Sequence, residues 1–595
     1  MLTLSESNVF DFITASTTDY RTARVPLAEN WDWNMWQHIQ RTVLYKNSKF
    51  LEGPNDGNRP FKNIVRPILN VAYRTEGFDV KDITPFVDNE DEYHKSFLVK
   101  KYHRKWANRN GMDTFIDETV ESIVDFGLGL VKDVGQTRPE CVPLQSIAFC
   151  DQTDILAGPI GILHPMAPDE LDAMRGKWDE ARIDEAILMA KGEKATLPQG
   201  AVKAKTPGKY IEVYEVHGVL PESWVDDDGS PDRFVRQAHY VTFYTLENGT
   251  KQGISLFKGR ERRQIFKAHK RDPIYGRACG FGGVEELFEP QQWTNYSEIQ
   301  LKEMLDAAAL SILQTADPTI AGRNRVDDLD KNEILLYDTA YGGLSKVDTV
   351  PRGFDKFEAN LERWEANAMT IGSASEGSLG KSPASGTPFA LQNLIVQEGN
   401  GMHDYRRGKH AAFAGEIWRD WVLPHLVRDI NKGQKFLDEL SVDEMQEVVE
   451  RVVNNLANAK VKEKLLRGEV PTDDEIELFK EVTKSQFMKG GQKRFMELLK
   501  DEVRDIPVDV EINVAGKQEY LNDRVVKLTN VFRQIIANPA ILQIPGMAKL
   551  FNEIIESAGL SPINFAGLTK EQLQALQPAP TAPAAIEPPV AETTS

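Results

Sequence analysis

Between residues 372 and 386 the chain loses every periodicity that would place it in a helix or a strand. The stretch reads GSASEGSLGKSPASG and carries Gly372, Ser373, Ser375, Gly377, Gly380, Lys381, Ser385 and Gly386. Glycine and serine at this density give backbone freedom and leave no apolar face to bury. Helical patterns flank it, over 354–371 before it and from Phe389 past Trp421 after it, the second weakened near Gly399 and Gly401. The fold must therefore accommodate two helices joined by a coreless loop at 372–388.

A second helix constrains the fold as strongly. Leu301, Met304, Leu305, Ala308 and Ile312 line one side of residues 285–314, which predicts a helix of about 45 Å. Pro290 suits a first turn and Asp317-Pro318 stops the run. Further helices are predicted over 113–126, with Thr114 and Asp117 at capping-box spacing and Gly127 and Gly129 at its end, and over 169–189. Capping boxes at Ser441/Glu444 and Thr472/Glu475 and a 3–4 repeat through Met445, Val448, Val452 and Leu456 make the C-terminal third mainly helical. Strand patterns fall at 142–149, 210–219, 239–246, 253–257, 334–337, 344–350 and 508–514, and Glu247-Asn248-Gly249 marks a hairpin turn. The expected class is mainly α with β, an α+β fold.

At 595 residues the chain exceeds one ordinary core, and 41% apolar with 27% charged residues is a soluble balance. Three cysteines, Cys141, Cys150 and Cys279, form no C-x-x-C pair, which points to a reducing compartment and away from structural zinc. No run approaches the ~18 apolar residues of a membrane span, and residues 1–10 lack a signal-peptide pattern, so synthesis in the cytoplasm and no membrane partner are expected. A formal net charge of −19 argues against a protein that grips nucleic acid, whose affinity comes from neutralising phosphates, but not against one that nucleic acid slides past.

Catalytic motifs fail at named residues. Gly380-Lys381-Ser382 has the end of a phosphate-binding loop, but Ser375 stands where its first glycine is required, a helix rather than a strand precedes it, and Pro383 follows. Gly280-Phe281-Gly282-Gly283 is half of a dinucleotide fingerprint without its third glycine, and reads as a tight turn before the 285–314 helix. His269, His403 and His410 lack metal-ligand spacing and read as solvated or hydrogen-bonded, while Asp226-Asp227-Asp228-Gly229 reads as a polar turn. No catalytic residue, metal or cofactor is expected.

Two basic stretches interrupt the acidic background. Residues 94–110 hold Lys100, Lys101, Arg104 and Lys105 with Tyr102 and Trp106 interleaved and no acid; residues 258–271 hold Arg260, Arg262, Arg263, Lys267, Lys270 and Arg271 with one acid, Glu261. Each reads either as a solvated helix face or an ion-pair seam with an acidic neighbouring subunit, or as a surface for transient phosphate contact. Residues 1–40 read as an extended arm whose Trp31, Trp33 and Trp36 anchor it to the body or to a neighbouring subunit. Residues 193–208 form a linker, and the Pro/Ala-rich tail, 571–595, is expected to be disordered.

The order of elements over residues 40–565 resembles the portal proteins of tailed bacteriophages, the head–tail connectors. The local echoes are Asn63-Ile64-Val65, Gly127-Leu128-Gly129, Pro159-Ile160-Gly161, the series His269, Arg271, Asp272, Tyr275-Gly276-Arg277, Gly280, Gly282 and Glu285 ahead of Gln291, Gln292 and Asn295, and Ser385-Gly386-Thr387-Pro388. The resemblance implies a portal-like, elongated subunit: a wing over 41–254, a clip over 255–284 (with 193–210 as the other candidate), a stem helix over 285–314, a wing return over 315–371, a channel loop over 372–388, a long helix over 389–429 and a crown over 430–570. It also implies a homo-oligomeric ring of twelve at one capsid vertex, hence 12 × (−19) = −228 formal charge. Implied partners are the terminase large subunit, a head–tail adaptor, major capsid and scaffolding proteins, and double-stranded DNA passing without sequence preference, with assembly in the host cytoplasm. The alternatives are another virion structural protein, such as an adaptor or scaffold, and a packaging ATPase.

Overall fold

The computed structural model describes residues 4–55, 59–87, 93–135, 138–190, 210–226, 228–245, 251–309, 313–314, 345–346, 354–374, 401–430, 434–439, 472–489, 493–498 and 508–512, with a few single positions between them. The chain divides into two compact units, residues 1–86, 102–428 and 507–517 in one and 87–101, 429–506 and 518–595 in the other. Helices and antiparallel strands are mixed throughout, an α+β fold.

The N-terminal stretch is not an extended arm. It forms α1 (Leu4–Thr22), whose Val9, Phe10 and Ile13 are buried in the main core. Four threonines obscure this in the sequence, because β-branched residues lower helix propensity. Here Thr14, Thr17, Thr18 and Thr22 each donate their hydroxyl to the carbonyl four residues back. The hairpin β1 (Val25–Ala28) and β2 (Trp31–Trp33) follows, turning at Asn30 with φ 68°. Then come α2 (Met35–Lys46) and α3 (Val65–Glu76). Asn34 caps α2 by accepting from the Gln37 amide at 2.8 Å, and its side-chain amide donates to the Tyr20 and Ala23 carbonyls that end α1. Trp33 and Trp36 pack into the body while Trp31 stays half exposed.

Next are β3 (Ile83–Val87), α4 (Tyr93–Asn110) and α5 (Met112–Phe126). Gly111 precedes α5 at φ 64°, so the helix starts before Thr114 and the expected capping box is not its start. Gly127, at φ 73°, ends it as expected. β4 (Leu128–Lys132), β5 (Glu140–Cys141), β6 (Ile147–Phe149) and β7 (Ile160–Met166) follow. The strand expected over 142–149 is shortened by a 3₁₀ turn at Leu144–Ser146, directly after Pro143. The helix expected over 169–189 is two helices, α6 (Pro168–Asp172) and α7 (Glu180–Ala190), separated where Gly176 takes φ 80°.

β8 (Ile211–Pro221), β9 (Phe234–Thr245) and β10 (Lys251–Arg260) confirm the predicted strands and complete a five-stranded antiparallel sheet in the order β10-β9-β8-β7-β6. Its side-chain alternation serves two cores. Val216, Leu220 and Val241 face α1, while Ile211, Val213, Ile254 and Leu256 face Leu171, Trp178 and Ile183 of the α6–α7 segment. β11 (Phe266–Lys270) pairs with β4 in a second sheet. Thus the basic stretch 258–271 is two strand ends and a turn, not a helix face.

The helix expected over 285–314 is broken at Leu287 into α8 (Gly283–Glu286) and α9 (Phe288–Ala309). At 22 residues α9 is about 33 Å long. Residues 313–314 lie instead in a strand, β12 (Leu313–Gln314), paired with β13 (Ser345–Lys346). The helix α10 (Phe354–Ile371) has the bounds the sequence predicts and packs along α9. α11 (Gly401–Ile417) continues through a π turn at Trp418–Val422 into α12 (Leu423–Ile430). In the second unit β14 (Gln434–Glu439) pairs with β15 (Lys493–Leu498), and α13 (Asp473–Lys489) begins after Thr472. β16 (Val508–Ile512), in the first unit, pairs with β3. The patterns at 334–337, 389–400 and 445–456, except Val453, lie outside the described residues, as does the tail.

The glycines of Gly280-Phe281-Gly282-Gly283 do not form a tight turn. Gly280 and Gly282 lie backbone on backbone against the end of α5, Gly282 extended at φ −85° and ψ 155°, and Gly283 opens α8. A Cβ on Gly127 would stand 2.4 Å from the Gly280 carbonyl oxygen, and one on Gly282 would stand 2.5 Å from that of Asp125. Gly127→Ala is therefore expected to cost on the order of 3 kcal/mol, from overpacking plus a strained left-handed alanine. Gly408→Ala, in α11 with open space around it, is expected to stabilise by roughly 0.5–1 kcal/mol. Denaturant melts of the two variants give the comparison; equal effects would contradict this packing.

Candidate functional site: a buried ion cluster around Glu76

Four segments far apart in sequence meet at the carboxylate of Glu76, the last residue of α3, which is fully buried. Arg271, just after β11, reaches it with Nε at 3.0 Å from Oε2 and Nη2 at 2.5 Å from Oε1, a two-pronged pair in which the guanidinium is itself buried. The third prong of Arg271 binds Glu286 of α8 at 3.1 Å. Arg406 of α11 completes the ring, 2.6 Å from both Glu286 and Asp272. His403, one turn earlier on α11, places Nδ1 2.8 Å from Glu76 Oε1 and Nε2 3.2 Å from the Gly372 carbonyl at the end of α10.

Burial alone would raise the Glu76 pKa. Hydrogen bonding from His403 and the charge of Arg271 outweigh it and bring the carboxyl down to about 2. Glu76 is thus ionised across the working pH range, and the ion pairs around it offset the loss of water, with Arg406 Nε left buried and without a hydrogen-bond partner. Chemically it offers no open coordination position and no free nucleophile: each carboxylate is occupied by arginine or histidine. It acts as a clasp, holding α3, the β11 end, α8 and α11 together.

Of the three histidines with no recognisable spacing, His269 and His410 meet here, and His403 lies seven residues before His410 on α11. His269 stacks on Phe413 with ring centroids 5.1 Å apart and meets His410 edge-on at 5.3 Å. His410 is buried with neither ring nitrogen hydrogen-bonded, which corrects the expectation for it; His269 is partly buried, and His403 is hydrogen-bonded as expected. Burial pushes His269 down to about 4 and His410 to about 3. Among the described residues no group of three or more metal-ligating side chains is placed to hold an ion.

Several residues that carry the portal resemblance touch one another, Ile64 with Gln291, Gln291 with Asn295 and Arg277 with Glu285, while Tyr275 and Gln292 are exposed and residues 385–388 lie outside the described residues. Gln291 of α9 accepts from the Ile64 amide at 3.0 Å and donates to the Lys62 carbonyl at 2.7 Å and to Asn295 at 2.9 Å. Asn63 accepts from the Arg66 amide at 2.9 Å and opens α3. Arg277 grips Glu285 with both terminal nitrogens, at 3.0 and 2.7 Å, and lies 4.8 Å over the Trp33 ring.

The loop residues Gly372 and Ser373 are described, and they continue from α10: a Cβ on Gly372 would strike Ile68 of α3 at 2.3 Å, and Ser373 takes φ 50°. Ser375, Gly377, Gly380, Lys381, Ser385 and Gly386 lie outside the described residues. Of the basic residues, Lys100, Arg104 and Lys105 are exposed on α4 and Lys101 is half-buried. In the second stretch Arg260 pairs with Glu222 and Asp226, Arg263 with Asp133, Lys267 with Asp420, and Lys270 donates to the Arg277 carbonyl at 2.6 Å. Arg271 belongs to the clasp, and Arg262 is exposed. The turn at 226–229 is closed by the Gly229 amide on the Asp226 carbonyl at 2.9 Å.

A second buried carboxylate escaped the sequence reading. Glu215 of β8 accepts from Lys132, Tyr240, His164 and His217, the last two at 2.7 Å, and His217 also meets Glu261 at 2.8 Å. Burial opposes charge on His217, but the hydrogen bonds to the two glutamates raise its pKa. The alternation of β8 marks Glu215 as inward-facing, the one signal that pointed to it.

No family model matches the sequence, and no curated protein matches it significantly. Chains of solved structures align with this one, two of them as follows. One is from the virion of a native gene transfer agent particle, with 12% identity and a TM-score of 0.31 over 93% of this chain and 99% of that one. The other is from the neck of an empty gene transfer agent particle computed with C6 symmetry, with 11% identity and a TM-score of 0.32 over 92% and 100%. TM-scores of this size establish no shared fold.

Proposed function

We propose that this chain is the subunit of a portal-type ring at one vertex of a virion, a passive conduit for double-stranded DNA that does no catalysis itself. The observation that carries the reading is the junction around Glu76. The residues picked out by resemblance, Asn63-Ile64, Arg271, Asp272, Arg277, Glu285, Gln291 and Asn295, are hydrogen-bonded or ion-paired, several of them with one another. Residues that share a physical task are expected to recur together; a chance resemblance would scatter them.

The junction also suits a channel segment. The chain leaves α10 at Gly372, and His403, two residues into α11, binds the Gly372 carbonyl. Both ends of the intervening stretch are thereby fixed at one point, on a clasp tied to the body. On this reading 372–388 is presented to the passing DNA, Lys381 supplies a phosphate contact, and the acidity of the chain limits sticking. Translocation energy comes from a separate terminase ATPase, and an adaptor docks on the ring.

The test is in particle assembly. Particles built without the chain are expected to lack DNA, and Lys381→Glu is expected to change packaging or retention of DNA while the ring still forms. Multiple-turnover ATP hydrolysis by the purified chain, or DNA-filled particles in its absence, would overturn the proposal.

A further inference from the structure

α9 and α10 leave an aromatic surface open. Trp293 is 44% and Tyr296 53% exposed, with ring centroids 5.9 Å apart edge-to-face. Trp293 also stacks on Trp364 of α10, 5.9 Å away and 7° from parallel. The stack holds both rings rigid, so covering them orders little that is not already ordered. Large, rigid aromatic groups of this kind are what contact centres are built from.

The charge around this surface is one-sided. α9 and α10 together carry eight carboxylates against three cations, and Lys62 pairs with two of the eight, Glu298 and Glu365, which still leaves an acidic excess. Glu289 and Glu303 are exposed and share the side of α9 that bears Trp293 and Tyr296, at spacings of three, four and seven residues. Such a surface repels nucleic acid. It also repels itself, so a two-fold contact of this face with its own copy is disfavoured. It fits a basic partner surface, and this chain has one. α4 contains no acidic residue, and in the first unit it exposes Arg104, Lys105 and Arg109.

We infer that the Trp293–Tyr296 face of α9 is one half of a head-to-tail contact between copies of this chain, and that the outer side of α4 on the next copy is the other half. A contact between two different surfaces is the kind that propagates and closes into a ring, whereas a self-complementary patch stops at a dimer. Guanidinium groups of α4 would lie over the exposed indole and phenol, with Glu289 and Glu303 setting the register. The inference rests on the ring reading and goes further, naming which surfaces meet.

The experiment uses the full chain and three variants, each checked for native circular dichroism and melting temperature. The wild type is examined first by sedimentation velocity and electron microscopy. If it forms no rings, the ring reading fails and this inference with it. If it forms rings, Glu289→Arg with Glu303→Arg is expected to raise the concentration for half-assembly by roughly tenfold or more, and Arg104→Glu with Arg109→Glu to do the same. All four changes in one chain restore the attraction and are expected to recover assembly to within about threefold of wild type. Rings that form unchanged in both double variants, or a fourfold variant no better than either, would overturn the inference and leave the ring reading standing.

Discussion

Glu76→Ala is expected to destabilise the protein by about 3–5 kcal/mol, a large part of a typical domain's total. The magnitude follows from what is left behind. Arg271 stays buried with Glu286 alone, and Arg406 and His403 lose a shared acceptor. Pairing and desolvation nearly cancel while the cluster is whole, but removing the acceptor leaves the desolvation of the cations uncompensated. Arg271→Ala should cost a similar amount, and the double variant much less than the sum of the two, since each single change destroys the same interaction. Denaturant melts of the three variants measure this; a loss below about 1 kcal/mol for Glu76→Ala would show that the clasp is not a structural tie.

Acid should unfold the first unit through its buried histidines. Burial holds His38, His103, His239 and His269 down to about 4 and His410 to about 3. The folded state keeps these rings neutral, while the unfolded chain protonates them below about 6.5. Stability is thus lost as pH falls through 6.5, and the loss continues down to the folded values. At pH 5 each ring contributes a loss of roughly 2 kcal/mol, so five together reach about 10 kcal/mol, comparable with total domain stability. Two groups have the opposite or no effect in this window. His217, with a raised pKa, adds stability at low pH that is lost as pH rises through its folded value. Glu76, lowered to about 2, keeps its contribution above pH 4.5 and gives it up only as pH falls toward 2. An unfolding midpoint between pH 6 and pH 4.5 is expected by circular dichroism, and His410→Phe should move it down by several tenths of a pH unit. A midpoint below pH 4 would contradict the account.

What could be read from the sequence is what local physics encodes. α10 has the predicted bounds because its apolar period is uninterrupted, and β8–β10 follow from alternation and an Asn-Gly turn. α1 was hidden by its threonines, whose hydroxyls satisfy themselves on the helix backbone. The 285–314 pattern ran on past both real ends of α9, since period alone does not register the break at Leu287. Glu76 gave no signal, and nothing tied Arg271 or His403 to it, because these partners are 195 and 327 residues away and no periodicity links them. The glycines at 280 and 282 announced a backbone constraint but not that its partner is Gly127. Ile64, Gln291 and Asn295, named among the sequence echoes, do lie together: Gln291 accepts from the Ile64 amide and donates to Asn295.

Electron micrographs of the purified full-length chain test the central claim most directly. The account predicts closed rings with a central hole wide enough for duplex DNA, with a mass that is a whole multiple of 67.0 kDa. Stable monomers at high concentration, or compact oligomers without a hole, would contradict it.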